Sequence, residues 1–426
     1  MSYVLSLSQI LVSFDEIPNN GFGGIGVMQF DNERMLDLSL IMTVGLLGIF
    51  CATLMFEKLT RNRHCSGTKI LYMDSGRAKN LLYWWAGLSF AVEFLMWRLQ
   101  IGRTGLVHGT HLPFKLVGSL VYIRFFTIPM LGLLFLDYFV RNGEKKLVVQ
   151  SVFLLLAIGL VGSVTGLSKL PLVLSSLFIV GHFTMFWKYY KKWFRSKLIV
   201  VLGGIGVLLI VMIVGILVVT MEQLRSYYYG IGLGTNFEWN GPYEAILQYE
   251  GEVDIRDSMS LLTDMILQRT IGIRELLVVF NSTSIDWSWE RIWEVIISDD
   301  DEKINEITFA LYGSVPDASD GKAFGIGYGL WGTLLLGGSY WYIFIGTFIY
   351  VLFALAVEEL FDRSGIKALA LGAAIIMGLQ LWGGASISFF WVRLASISVF
   401  TYAIVRYVTG RFMVTTVSVF KILEKT

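Results

Sequence analysis

The chain has 426 residues, of which 55% are hydrophobic and only 16% are charged. Soluble domains contain about 25% charged residues, so the composition excludes an ordinary soluble protein and predicts an all-α polytopic membrane protein. The net charge of +1, without a basic tail, gives no indication of a nucleic-acid partner. The lipid bilayer is therefore the first partner that the sequence predicts.

Apolar runs of about 20 residues mark the predicted membrane-spanning helices, because a helix of this length crosses a bilayer. The runs lie at 36–56, 81–97, 115–137, 147–164, 170–187, 197–220, 328–357, 366–384 and 387–408. A short apolar segment at residues 1–14 either adds a further span or lies at the interface, so about ten transmembrane helices are expected. The run at 328–357 is long and rich in glycine, and it is expected to hold a re-entrant piece before its span.

The distribution of Lys and Arg among the connecting loops predicts the orientation of the spans. Connections rich in basic residues alternate with connections that have few, and the basic ones are predicted to be cytoplasmic. The opposite face carries a tight turn at 165–169 and a long loop at 221–322, which has 19 Asp and Glu against seven Lys and Arg. The chain is thus expected to have an N-terminal helix block (1–220), a large outer loop module with amphipathic helices (221–322) and a C-terminal helix block (323–426).

Positive side chains inside the spans are the strongest indication of a site. Arg124 lies within the apolar run LVGSLVYIRFFTIPMLGLLFL, and Arg393 lies within SISFFWVRLASISVFTYAIV. A charge at such depth costs about 2.5–3.5 kcal/mol on insertion scales, so it usually marks a functional position. The predicted topology puts both in the same leaflet as Arg98, Arg103 and Lys169. Five cations near one membrane face predict a pocket for an anionic, phosphorylated, lipid-linked substrate.

Each of these cations has an alternative interpretation. The three near the ends of their helices are also compatible with interfacial snorkelling, in which the charged group reaches the headgroups. Arg124 is too deep for that, and its alternative is an internal ion pair with Glu93 or Asp264.

Other polar residues favour no metal or cofactor. His108 and His111 share an outer loop at a spacing that suits a metal, but no Cys or third His accompanies them, so a base, a sugar contact or a solvated loop position fits better. His182 is interpreted as a packing residue, and the acidic run 299–302 as a solvated segment. No Walker loop is present, which disfavours ATP hydrolysis.

Three local patterns together resemble the Wzy-type polymerases of bacterial O-antigen and capsule repeat units. They are the turn Thr-Gly-Leu-Ser-Lys at 165–169, the element Arg-Thr-Ile-Gly-Ile-Arg-Glu at 269–275, and the Gly-rich aromatic segment KAFGIGYGLWG at 322–332. Each pattern alone is weak, and their order and topological placement carry the resemblance. It covers most of the chain, including the large outer loop between an early and a late block of spans.

This resemblance implies a GT-C-like glycosyltransferase in the bacterial inner membrane, with its active site facing the periplasm. The implied substrates are undecaprenyl diphosphate-linked oligosaccharides, and a polysaccharide chain-length regulator is an implied partner. No metal and no cofactor are implied.

The resemblance and the charge pattern together give candidate residues for the reaction. Fixed cations would stabilise the charge that develops on the leaving diphosphate, and a carboxylate or His would take the proton of the attacking sugar hydroxyl. Glu275, Glu93 and His108 remain open as the base, and Glu275 would alternatively pair with Arg274. The diphosphate-binding candidates are Arg124, Lys169, Arg269, Arg274, Arg98 and Arg393.

Two rival functions fit the same features. An O-antigen ligase would use the same donor but transfer it to lipid A-core. A lipid-linked oligosaccharide flippase or other transporter would also carry charged groups within its spans, commonly at the midplane or on both sides. A chain-length or assembly partner without chemistry is disfavoured by the large apolar mass and the buried arginine.

Overall fold

The computed structural model describes residues 32–60, 71–72, 75–99, 101, 116–166, 168, 170–191, 329–335, 337–383, 390–412 and 414–415. Within this part of the chain the architecture is helical, apart from one antiparallel pairing of two-residue strands. The chain divides into two compact units, and three of the boundaries between them fall within C-terminal helices.

One unit is built around a bundle of consecutive helices from the first half of the chain, joined by residues 357–376 and 393–412 from the second half. Strand β1 (Leu71–Tyr72) pairs here with β2 (Val414–Thr415). The helices of the bundle are α2 (Ser75–Arg98), α3 (Leu116–Tyr122), a π segment (Ile123–Thr127), α4 (Ile128–Arg141), α5 (Lys145–Gly166), α6 (Leu170–Met185) and α7 (Trp187–Lys191).

The other unit contains α1 (Asn32–Thr60), α8 (Gly329–Leu335) and the first part of α9 (Tyr340–Asp362). The last two helices, α10 (Lys367–Gly383) and α11 (Phe390–Phe412), have residues in both units.

Four described helices are long and apolar enough to cross a membrane, namely Ser39–Thr60, Gly118–Arg141, Lys145–Gly166 and Tyr340–Asp362. Their apolar side chains are only partly covered by protein. On α9, Trp341, Ile345 and Ile349 follow one another at intervals of four residues and are 48–70% exposed. Such a stripe on a helix is what a lipid-facing surface requires, so the structure agrees with the predicted membrane protein.

The predicted apolar runs coincide with described helices wherever the structure describes them. The run at 81–97 is part of a longer helix that begins at Ser75, and the Gly-rich run at 328–357 is divided into α8 and α9 by a turn containing Gly338, whose φ is +71°. The segments 1–14, 197–220 and 221–322 lie outside the described residues. The count of ten spans and the three-part division therefore stay predictions.

The helix that carries Arg124 changes its winding around that residue. In the π segment the Ile128 N–H bonds to the Ile123 carbonyl, five residues back, directly before Pro129. Proline lacks an N–H and its ring clashes with the carbonyl four residues earlier. The wider π turn accommodates this clash, and such insertions are frequent at functional sites.

Glycines let the helices of the bundle approach closely, as in other membrane proteins. Gly132 on α4 faces the ring of Trp85, and a Cβ added at Gly132 would lie 2.7 Å from Trp85 Cζ2. Trp85 is held in place because its Nε1 donates to the Ile128 carbonyl at 3.1 Å. The close approach of α2 and α4 therefore depends on the missing side chain.

In the other unit, glycines likewise let α1 pack closely against α8 and α9. A Cβ added at Gly45 would clash with the ring of Trp331, and a Cβ added at Gly48 would lie 2.9 Å from the Phe344 carbonyl oxygen. Trp331 Nε1 donates to Thr347 Oγ1 at 3.0 Å, which fixes α8 against α9.

We expect Gly132→Ala to destabilise the protein by about 1–3 kcal/mol, since overpacking a tight contact has this cost. Gly87→Ala is the matched control, because an added Cβ on Gly87 of α2 meets nothing within 4 Å. It should raise stability slightly through helix propensity, by about 0.5–1 kcal/mol. Thermal unfolding of the detergent-purified variants measures both effects, and equal midpoints would contradict the packing argument.

Candidate functional site

A buried ion pair connects α2 to the π segment. Arg124 Nε donates to Glu93 Oε1 at 2.9 Å, and Arg124 Nη2 donates to Glu93 Oε2, so the contact is bidentate. Both side chains are 1% exposed. Bidentate Arg–carboxylate contacts are among the strongest hydrogen-bonded pairs, and the structure thus shows the Glu93 partner that the ion-pair interpretation of Arg124 named.

Thr165 adds a hydroxyl to the pair. Its Oγ1 accepts a hydrogen bond from Arg124 Nη2 at 2.7 Å and donates to Glu93 Oε2 at 2.8 Å. A hydroxyl is both donor and acceptor, so Thr165 accepts from the guanidinium and donates to the carboxylate. Three side chains from three helices form this cluster, which we call the Glu93–Arg124–Thr165 cluster.

The positions of these residues along their helices place the cluster at one end of the bundle. Glu93 lies near the C-terminal end of α2, Arg124 near the start of the α3–π–α4 stretch, and Thr165 at the C-terminal end of α5. The connection from α5 to α6 is short, as predicted, because α5 ends at Gly166 and α6 begins at Leu170.

A narrow cavity lies beside the ion pair, with Glu93, Arg124, Gly159 and Ser175 among its lining residues. It offers space for about one water molecule or one small polar group. A Cβ added at Gly159 would lie 2.6 Å from Ser175 Oγ, so the glycine allows α5 and α6 to approach closely beside this cavity. Ser175 on α6 is buried and lines this cavity.

A second polar cluster occupies the opposite end of the same bundle. Asp137 on α4 pairs with Arg141 (Oδ2 to Nε, 2.8 Å) and with His182 on α6 (Oδ1 to Nε2, 3.3 Å). The other ring nitrogen of His182 lies 2.9 Å from the Tyr190 hydroxyl on α7. Asp137 follows Arg124 by 13 residues, so roughly 20 Å of helix separates the clusters.

Both ring nitrogens of His182 are hydrogen-bonded. Burial and, secondarily, the negative charge of Asp137 raise the pKa of the Tyr190 phenol above its usual range, so the phenol keeps its proton. Because the Asp137 carboxylate only accepts, the Nε2–H of His182 is the donor in that contact. His182 is buried, which agrees with its interpretation as a packing residue, and its ring also makes two hydrogen bonds.

The structure brings together two of the predicted site residues, Glu93 and Arg124. Arg98 ends α2 and is exposed, and Arg393 lies in α11 at a position whose side chain is not described. Lys169, His108, Arg269, Arg274 and Glu275 lie outside the described residues. Their roles, and the assignment of Arg124 to a phosphate, stay predictions.

Sequence reasoning did not give roles to Thr165, Ser175 or Asp137. Thr165 belongs to the turn at 165–169 that carries the family resemblance, so the signal for it was present. Ser175 and Asp137 are single polar residues in apolar helices, and a hydropathy pattern does not show which such residues face each other.

The part of the chain that the structure describes contains no group of three His, Cys, Asp or Glu side chains placed to hold a metal ion. No protein-family model matches the chain, and neither the curated proteins nor the solved structures contain a significant match. The geometry of the site and the sequence patterns are therefore the basis for a functional proposal.

We expect Arg124→Met to destabilise the protein by about 3–5 kcal/mol, because it leaves the Glu93 carboxylate buried without its partner. The double variant Glu93→Met/Arg124→Met should recover most of this loss, since an apolar pair has no charge to compensate. Thermal unfolding of Arg124→Met, Glu93→Met and the double variant in detergent completes the double-mutant cycle.

The matched control is Arg363→Met, which breaks the exposed Arg363–Glu359 pair on α9 and its following turn. It should cost about 0.3–0.5 kcal/mol. A double variant as unstable as Arg124→Met alone would show that the ion pair does not account for the stability of this end of the bundle.

Tyr190→Phe tests the second cluster. It removes the hydroxyl that is hydrogen-bonded to His182 Nδ1, and we expect a loss of about 0.5–1.5 kcal/mol, typical of one buried hydrogen bond. Tyr189→Phe is the control, because the Tyr189 hydroxyl has no hydrogen-bond partner in the described part of the chain. Equal unfolding midpoints for the two variants would contradict the proposed hydrogen bond.

Proposed function

We propose that the chain is a metal-independent membrane glycosyltransferase that polymerises undecaprenyl diphosphate-linked oligosaccharide repeat units into O-antigen or capsular polysaccharide. In this proposal it spans the bacterial inner membrane about ten times with a GT-C-like fold, and its active site faces the periplasm. The bilayer, the lipid-linked oligosaccharide and a chain-length regulator are its proposed partners.

The observation that supports the proposal most is the buried guanidinium of Arg124 in a π segment, at the end of the bundle next to the α5–α6 turn. Under the predicted orientation this end is the outer one, and the turn leads to Lys169. Arginine offers a planar set of donors that fits two phosphate oxygens at once. A preorganised cation in an apolar site stabilises negative charge more than a cation in water does.

The proposed reaction needs cations that bind the leaving diphosphate and a base that takes the hydroxyl proton. The hydroxyl oxygen of one repeat unit attacks the anomeric carbon of the next, the bond from that carbon to the diphosphate oxygen breaks, and undecaprenyl diphosphate leaves with the bonding electrons. The hydroxyl proton passes to a base, for which Glu93, Glu275 and His108 are candidates. Arg124, Lys169, Arg269 and Arg274 are the proposed contacts to the leaving diphosphate, with Arg98 and Arg393 at its edge.

A cell-based experiment tests the polymerase. In the native bacterium, replacing the gene with one for Arg269→Ala or for the double variant Glu93→Met/Arg124→Met should shorten the surface polysaccharide from long chains to single repeat units. The double variant removes the guanidinium without leaving a buried unpaired charge, so loss of activity is separated from loss of folding. Chain length is read on a gel, with membrane protein level measured in parallel.

Arg363→Ala serves as the control for removing an arginine, because its side chain is 52% exposed. It should leave chain length unchanged. Long chains in cells that carry either test variant at a normal protein level would remove these arginines from the proposed site.

Deletion of the gene separates the polymerase from a ligase. Loss of a polymerase leaves one repeat unit attached to lipid A-core, whereas loss of a ligase leaves none attached and long chains remain on the lipid carrier. Single attached units are the expected result.

A flippase is the second candidate function, and the Asp137–His182–Tyr190 cluster is the observation that favours it. Together with the Glu93–Arg124–Thr165 cluster it places buried polar groups at both ends of one bundle, and charged groups on both sides are common in transporters. Deletion of a flippase would leave no repeat units outside the cell and lipid-linked units in the inner leaflet, which labelling of accessible oligosaccharide on intact cells detects.

A further inference from the structure

The surface where α2 meets α5, which we call the α2–α5 seam, combines exposed cations with exposed apolar side chains. The two helices run in parallel, because the Tyr83 hydroxyl donates to Gln150 Oε1 at 3.2 Å toward their starts and Thr165 Oγ1 donates to Glu93 Oε2 at 2.8 Å toward their ends. Their N-terminal turns therefore lie together, at the end of the bundle that the predicted orientation makes cytoplasmic.

Both N-terminal turns carry lysine side chains at the surface. Lys79 on α2, and Lys145 and Lys146 on α5, are exposed. Lys79 precedes Tyr83 by one helical turn, and Lys146 precedes Gln150 by one turn. The hydrogen bond between Tyr83 and Gln150 therefore places the lysines of both helices at about the same level of the bundle.

Tyr83 connects the two sides of the seam. Lys79 Nζ lies 5.9 Å from the centroid of the Tyr83 ring, within the range of a cation–π contact. The hydroxyl of the same ring reaches Gln150 on α5. Tyrosine is enriched at membrane–water interfaces, since its ring is apolar and its hydroxyl is polar. The ring thus holds Lys79 at the level expected for lipid headgroups.

Beyond this level the seam is apolar on both helices. Trp84 and Leu88 on α2, and Val149 and Phe153 on α5, are 66–78% exposed. Val149 and Phe153 follow Lys145 at intervals of four residues, so the three side chains form one row on the helix. The seam therefore has a cationic end and an apolar length, which complements a molecule with an anionic head and a hydrocarbon tail.

Gly87 leaves a gap in the apolar part of the seam. It follows Tyr83 by four residues and so lies on the same face of α2. A Cβ added at Gly87 would meet nothing within 4 Å, although Trp84 and Leu88 close by in the helix are large and exposed. The surface is lowest at this point, and a hydrocarbon chain that lies on the seam packs here.

We propose that the α2–α5 seam binds an anionic glycerophospholipid, whose phosphate contacts Lys79, Lys145 and Lys146 and whose acyl chains lie along the apolar length and over Gly87. Charge favours this occupant over a zwitterionic lipid, because residues 75–83 and 144–150 hold four basic side chains and one acidic one, the half-buried Glu144. Basic pockets between transmembrane helices bind such headgroups in other membrane proteins. The site is independent of the proposed glycosyltransferase activity.

Native mass spectrometry of the full-length protein in detergent measures the binding. Phosphatidylglycerol and phosphatidylcholine with identical acyl chains differ in headgroup charge alone, and we expect the first to bind about tenfold more tightly. Lipid-dependent shifts of the unfolding midpoint measure the same preference in solution. Equal affinities for the two lipids would overturn the proposed headgroup contacts.

Lys79→Ala/Lys146→Ala should weaken phosphatidylglycerol binding about tenfold, because each lysine near a lipid phosphate contributes to binding. Lys188→Ala/Lys191→Ala is the matched control. Both of its lysines are exposed at the same end of the bundle, on α7, which packs against α4 and α6. Lys188 Nζ likewise lies 5.3 Å from a tyrosine ring centroid, that of Tyr189. Equal weakening in both double variants would show only a general attraction between lysines and anionic lipid, and would overturn the site.

Gly87→Leu tests the placement of the acyl chains. The new side chain fills the gap, so it should weaken the binding of both lipids severalfold and leave the ratio of their affinities unchanged. Gly378→Leu on α10 is the control, because an added Cβ there also meets nothing within 4 Å. Unchanged lipid binding in Gly87→Leu, at an unfolding midpoint equal to that of the control, would overturn this placement.

Two further outcomes separate a lipid from other occupants of the seam. Inorganic phosphate is titrated against the phosphatidylglycerol complex, and we expect it not to displace the lipid at equal concentration. Displacement would show a site for free anions and overturn the lipid assignment. The same spectra report the oligomeric state, and dimers that form only after lipid is removed and that Trp84→Ala abolishes would show that a second copy of the chain covers the seam instead.

Discussion

The bidentate contact between Glu93 and Arg124 is the interaction on which this end of the bundle depends. Each charge is surrounded by apolar helices, and each is tolerated there because the other is within hydrogen-bonding distance. The pair fixes the rotation of α2 and of the π segment about their axes, and Thr165 adds the end of α5. A short connection then places the start of α6, so one polar contact sets the relative positions of four chain segments.

The Asp137 cluster has the same role at the other end of the helices. It joins α4, α6 and α7 through hydrogen bonds to a single carboxylate and a single imidazole. Between the two clusters the contacts are apolar and glycine-mediated, as where Gly132 receives the ring of Trp85. Interhelical hydrogen bonds fix the rotation of each helix about its axis, because helices in lipid have little hydrophobic driving force that favours one rotation. The polar clusters at the two ends thus fix the rotation of the helices, and apolar side chains and glycines form the contacts between them.

Hydropathy was sufficient to predict the described helices, and the depth of Arg124 in its span indicated a charge that needs a buried partner. Even its partner was among two named alternatives, since Glu93 is a carboxylate near the end of a neighbouring span. The contact geometry was not predictable in the same way. A hydropathy pattern gives neither the rotation of a helix nor the π segment, which arises from Pro129 and shifts Arg124 relative to an ideal helix. The close contact between Gly159 and Ser175 is visible only when α5 and α6 are placed side by side.

The ion pair has a physical consequence that reaches beyond stability. Replacing a buried pair with apolar side chains is commonly neutral or stabilising, so stability alone does not account for two charges at this place. The two charges also restrict the packing of the helices. Any rotation of α2 or of the π segment that separates Glu93 from Arg124 leaves a buried charge unpaired, so the pair disfavours alternative arrangements of these helices even where it adds little net stability.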